Sequence, residues 1–146
     1  MRDRPLFSIA VFGLGHVGLP TALGFADLGW DVIGVESDPE KMQLIKDGQD
    51  PFNETGVASL LKKHLVSGKF LVTTDTKIAV DQANVLFMCV GTPKNKDGSA
   101  NTYQLEELAH ELSASINNYK MIIQKSTAPV DTSNRIREIL LGDKQV

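Results

Sequence analysis

Apolar residues along the chain gather into two kinds of segment. Short continuous runs recur at Phe7–Phe12, Asp31–Val35, Phe70–Thr74, Val85–Val90 and Tyr119–Gln124. Such runs, rich in Val, Ile and Phe, predict strands buried on both faces of a parallel sheet. Between them, apolar residues fall at helical spacing. His16–Leu28 sets Leu19, Leu23 and Ala26 on one side, with Ala22 and Phe25 beside them. Pro20 suits its first turn, and Gly29 stops it. Asp38-Pro39 opens a short helix through Met42 and Ile45 that ends at Asp47-Gly48. After a loop at Gln49–Gly56, Val57–Leu65 predicts another helix, closed by Ser67-Gly68. Asp75 caps a brief helix through Val80. Thr102–Ser115 repeats Leu105, Leu108, Ala109 and Leu112 at helical spacing, and a last helix runs from Ser133 to Leu141. Strands alternating with helices, with no internal repeat or linker, predict one α/β domain over residues 1–146.

The turn between the first strand and the first helix carries the most chemistry. Gly13-Leu14-Gly15-His16-Val17-Gly18 is a G-x-G-x-x-G, and Glu36 ends the next strand, about 20 residues further on. Gly13 permits the tight turn, Gly15 lets a pyrophosphate approach the backbone, and Gly18 lets the helix pack close to the sheet. Free N–H groups and the positive helix end would face the phosphates. Glu36 would accept hydrogen bonds from the adenosine ribose. Its charge would repel a 2′-phosphate, and Ser37-Asp38 offers no arginine to receive one. The expectation is a Rossmann-type, doubly wound parallel sheet with helices on both faces, binding NAD rather than NADP.

Composition narrows the remaining classes. With 146 residues, 42% hydrophobic and 23% charged, the chain has the makings of an ordinary globular core. A net charge of −3 without a long basic run gives no sign of nucleic acid or an anionic membrane surface as partner. No apolar segment has the length to span a bilayer, and the N-terminus lacks a signal-peptide core, so the expected compartment is the cytoplasm. The single cysteine, Cys89, lies in an apolar run and reads as a buried strand thiol rather than a nucleophile. His16, His64 and His110 show no metal-ligand spacing; His64 and His110, on helices, are expected at the surface.

Two further segments leave strand ends: Gly91-Thr92-Pro93 and Lys125-Ser126-Thr127-Ala128-Pro129-Val130. In an open α/β sheet, ligands bind beyond the carboxyl ends of the strands, so both segments should border the crevice of the glycine loop. Position alone leaves an ordinary strand-to-helix turn equally open for each.

Taken together, these segments and Gly48-x-x-Pro51-x-x-Glu54-x-Gly56, Thr73-Thr74-Asp75 and Asp97-Gly98-Ser99-Ala100 are similar to the N-terminal NAD-binding domain of the UDP-glucose/GDP-mannose dehydrogenase family. The resemblance runs over nearly the whole chain. Val90-Gly91-Thr92-Pro93 and Asp97-Gly98-Ser99-Ala100 are most similar to the UDP-glucose 6-dehydrogenase branch. It implies oxidation of the C6 alcohol of UDP-glucose to UDP-glucuronate in two NAD-dependent steps, through a thiohemiacetal and a thioester on a cysteine. It also implies a pyrophosphate loop at Gly13, Gly15, His16, Val17 and Gly18. Glu36 matches the ribose-binding acid, and Lys41 a lysine near the adenosine. Thr92 and Pro93 match the cofactor-site lining. Thr127 matches a threonine beside the nicotinamide that helps orient an active-site water, which makes it the catalytic candidate.

The resemblance also sets bounds. His16 stands where a tyrosine is usual, Ala128 where a valine or isoleucine is usual, and Asp131 where glycine is frequent. Asp131 is expected to cap the last helix and to add a negative charge near the crevice. The family's catalytic cysteine, lysine, asparagine and aspartate have no counterpart here, so the chain alone is expected to bind NAD without oxidising a nucleotide sugar. GDP-mannose or a UDP-N-acetylhexosamine as the sugar, a stand-alone NAD-binding module, or another NAD-dependent hydroxyacid dehydrogenase are the alternatives. In relatives a long linking helix builds a homodimer; here, exposed apolar surface is expected to drive self-association.

Overall fold

A computed structural model describes residues 8–142. Eleven elements follow one another: β1 Ser8–Phe12, α1 Gly18–Asp27, β2 Asp31–Val35, α2 Pro39–Lys46, α3 Val57–Ser67, β3 Phe70–Thr73, α4 Thr76–Gln82, β4 Val85–Met88, α5 Tyr103–Ser115, β5 Met121–Gln124 and α6 Thr132–Leu141. The strands form one sheet in the order β3-β2-β1-β4-β5, and every pairing is parallel. This is the Rossmann-type sheet that the alternation predicts.

The apolar runs lack a period because both faces of the sheet are buried. Ala10 and Phe12 of β1, Ile33 and Val35 of β2, and Leu86 and Met88 of β4 point into one core layer, against Leu105, Leu108 and Leu112 of α5 and Ile136 of α6. Ile9, Val11, Val32 and Phe87 point the other way, toward Leu19, Leu23 and Ala26 of α1 and Leu61 of α3. The two-residue period of the strand sorts neighbours to opposite layers. Fully buried leucines such as Leu19, Leu23, Leu86 and Leu105 each contribute about 1.5–3 kcal/mol through lost water contact.

Local chemistry sets the helix ends. Asp38 accepts the N–H groups of Glu40 (2.9 Å) and Lys41 (3.2 Å), with Pro39 opening α2. Asp75 accepts the Ile78 N–H at 3.1 Å. Gly29, at φ +96°, closes α1 while Trp30 and Gly29 donate back to the carbonyls of Phe25 and Ala26.

Several boundaries differ from expectation. α1 begins at Gly18 rather than His16, because Gly15–Val17 form the turn that leads into it. β4 ends at Met88, although the Cys89 N–H still donates to the Phe12 carbonyl at 2.8 Å. β5 starts at Met121, leaving Tyr119 86% exposed ahead of it. Asp131 occupies the N-cap of α6, but its side chain makes no capping bond. Phe7, expected to open the first strand, lies outside the described residues.

Candidate functional site

The chain leaves β1 toward β2 and β3 on one side, then crosses back to β4 on the other. The loops after β1 and β4 therefore diverge, and a crevice opens at that switch point. A cleft of about 480 Å³ lies there, walled by the glycine loop, the end of β2 and the segments after β4 and β5.

The three glycines have different neighbours. Gly13 adopts φ +89°, and a Cβ on it would come within 2.9 Å of the Val90 backbone. A Cβ on Gly18 would lie 1.7 Å from the Gly13 carbonyl oxygen, so the start of α1 presses directly on the loop. A Cβ on Gly15 would meet nothing within 4 Å. The N–H groups of Gly15, His16 and Val17 have no backbone or side-chain acceptor among the described residues. Unpaired donors at a helix N-terminus, over open space, form an anion cradle.

Glu36 closes the far side. It is 4% exposed, a costly place for a carboxylate unless donors surround it. Three do. The Leu14 N–H donates to Oε2 at 3.0 Å and the Asp38 N–H to Oε1 at 3.0 Å. The Lys41 ammonium sits 3.0 Å from Oε2. A carboxylate offers about four lone-pair sites, so one stays open for a further donor.

The loops after β4 and β5 are tied to each other. The Thr92 hydroxyl donates to the Thr127 carbonyl. The Ser126 hydroxyl donates to the Val90 carbonyl at 2.7 Å. The N–H groups of Lys125 and Ser126 both reach the Met88 carbonyl. Thr92 and Thr127 thus face the cleft as one wall. Cys89 lines it as well, and burial pushes its thiol up to about 11 against the opposing influence of Lys125. A thiol so shifted stays protonated near neutrality and makes a poor nucleophile.

Of the residues expected at a cofactor site, Gly13, Gly15, His16, Val17, Glu36, Lys41, Thr92 and Thr127 line this one cleft. Gly18 is buried beneath the loop, and Pro93 is exposed on the segment after β4. Asp131 does not line the cleft. Phe52 and Gln104 do, although no sequence pattern marks them. Phe52 arrives from the loop before α3, Gln104 from the first turn of α5.

Elsewhere, His64 is a correction: it is 4% exposed rather than at the surface. Its Nε2 lies 2.9 Å from Asp27 Oδ1, while its buried Nδ1 has no partner among the described residues. His110 is exposed. Among the described residues, no group of His, Cys, Asp and Glu is placed to hold a metal ion, and no helix is long and apolar enough to cross a membrane.

Comparison with known proteins identifies the group to which this cleft belongs. Residues 7–146 match the NAD binding domain of the UDP-glucose/GDP-mannose dehydrogenase family. An uncharacterized protein of Methanocaldococcus jannaschii is 39% identical over 135 residues, 91% of this chain and 15% of that protein. The UDP-glucose 6-dehydrogenase of Rhizobium meliloti is 36% identical over 133 residues, 90% of this chain and 30% of that enzyme. Among solved structures, a ternary complex of GDP-mannose dehydrogenase from Pseudomonas aeruginosa superposes with a TM-score of 0.88 at 34% identity, covering 92% of this chain and 32% of that one. The chain thus spans a third or less of these relatives. It belongs to the UDP-glucose/GDP-mannose dehydrogenase family, as an NAD-binding domain whose cofactor is NAD.

Proposed function

We propose that residues 1–146 serve as the coenzyme domain of a nucleotide-sugar 6-dehydrogenase that oxidises the C6 alcohol of UDP-glucose to the acid with two NAD. The observation that carries this reading is the pairing of open, donor-rich backbone at Gly15–Val17 with the buried carboxylate of Glu36 across one cleft. In this reading Gly13, Gly15, His16 and Val17 hold the pyrophosphate, with Gly18 keeping α1 close behind them. Glu36 offers its open lone pair to a ribose hydroxyl, and Lys41 pairs with its Oε2. Thr92, Pro93 and Thr127 border the nicotinamide, where the Thr127 hydroxyl orients a water. NAD supplies the hydride acceptor.

The nucleophile comes from outside these residues. Cys89 is neutral near pH 7 and packed against Gly18, and thioester chemistry needs a thiolate. A second reading keeps the reaction and exchanges the sugar nucleotide for GDP-mannose, the substrate named for one of the solved relatives. Assaying an enzyme that carries this domain with both sugar nucleotides separates the two.

Calorimetric titration of the chain tests the cofactor reading. The expected outcome is saturable NAD binding with no measurable NADP binding, and no NADH formed when UDP-glucose is added. Equal binding of NADP overturns the role given to Glu36; steady NADH formation overturns the external nucleophile.

A further inference from the structure

The loop Gln49–Gly56 has a shape that Phe52's place in the cleft wall does not by itself explain. Asp50 organises it: Oδ1 accepts the Phe52 N–H at 2.9 Å and Oδ2 accepts the Glu54 N–H at 2.6 Å. Asn53, at φ +53°, and Gly56, at φ +86°, turn the chain back. The turn delivers two side chains to a single partner. Glu54 Oε1 lies 2.9 Å from His16 Nδ1, and the Phe52 ring centre lies 4.1 Å from that of His16, tilted by 36°. His16 belongs to the glycine loop, and both rings line the cleft.

We propose that Glu54 is a positioning residue for the dinucleotide: through His16 it clasps the loop Gln49–Gly56 to the glycine loop and so holds the cradle in its binding shape. The proposal rests on the reading of the glycine loop as the pyrophosphate cradle. A carboxylate only accepts hydrogen bonds, so His16 Nδ1 is the donor in the contact with Glu54. The contact fixes the His16 side chain, and with it the backbone whose open N–H groups form the cradle. Glu36, Lys41, Cys89 and Lys125 also face the cleft, and Asp50 braces the loop from behind. His16 is 71% exposed and Glu54 38%, so solvent screens the pair and the effect is modest.

The test is the NAD dissociation constant of the 146-residue chain, by calorimetry, for the unaltered protein and for variants of the pair. Glu54→Ala removes the acceptor and should weaken binding about threefold. Glu54→Gln keeps an acceptor oxygen and should bind as the unaltered chain does. His16→Phe keeps a ring against Phe52 but loses the donor, and should weaken binding about as much as Glu54→Ala. Combining His16→Phe with Glu54→Ala should cost little more than either change alone, because the two residues act through one contact. Thermal melts by circular dichroism establish that each variant is folded. Unchanged affinity in Glu54→Ala, or losses that add in full in the double variant, overturn the clasp. Gly15→Val, which fills the open space over the loop, separates this outcome from failure of the cradle. If it binds NAD as the unaltered chain does, or if the unaltered chain binds none, the cradle reading falls and the clasp with it.

Discussion

At the scale of single residues, close approach decides more than side-chain chemistry does. Gly18 bears no reactive group and is buried under the loop, yet its missing Cβ sets the distance between α1 and the Gly13 carbonyl. A methyl placed 1.7 Å from a backbone oxygen cannot be absorbed by a rotamer change, so the helix start and the loop must separate. Gly18→Ala should destabilise the fold by about 2–3 kcal/mol, as overpacking at a rigid contact does. It should also weaken NAD binding, because the cradle moves with the helix. Urea denaturation and calorimetry on the variant check both; unchanged stability would show that the contact relaxes freely.

At the scale of elements, α1 and α3 are joined by a polar contact on the flank of a largely apolar layer. Asp27 near the end of α1 receives Lys63 at 2.7 Å and His64 at 2.9 Å from α3. The Lys63 hydrogen bond first, and that of His64 second, hold the Asp27 carboxyl below the usual carboxylate range. A lowered folded value means that the contact's stabilisation is present above the unfolded value, about 3.9, and is lost as pH falls through the folded one. Asp27→Asn should therefore lower the melting temperature near neutrality, and the gap to the unaltered chain should close as pH drops below about 4. A gap that stays constant across thermal melts at several pH values would show that charge has no part in this contact.

At the scale of the whole molecule, the sheet ends in two edge strands. β3 and β5 each pair on one side only among the described residues. Leu71 on β3 and Met121 on β5 are half exposed, and Tyr119 and Val130 nearby are largely so. Unpaired edges with exposed apolar residues favour association of copies. Sedimentation velocity should show the average mass rising with concentration; a single monomeric species throughout a wide concentration range would contradict this. Binding of NAD to the folded state alone should meanwhile raise the melting temperature with the logarithm of the ligand excess.

How much was legible follows from how far apart the interacting residues lie. By itself, the order of residues determined the elements, the parallel sheet and the glycine loop, because periodicity, caps and turns are written by near neighbours: Asp38 before Pro39, Gly29 after a helical stripe, Glu36 closing a strand. It also placed Thr92 and Thr127 at strand ends, where the fold leaves room for a ligand. Only the tertiary structure decided what meets across the crossovers. Phe52 and Gln104 reach the cleft from elements with no local mark of it. His64 shares the buried stripe of α3 with Val57 and Leu61, and Asp27 of another helix supplies its partner there. His16 and Glu54, apart in sequence, become partners because Asp50 folds its loop back over the cleft. Burial and partnership depend on packing between layers, and a linear pattern records which residues are able to face a core but not which ones meet there.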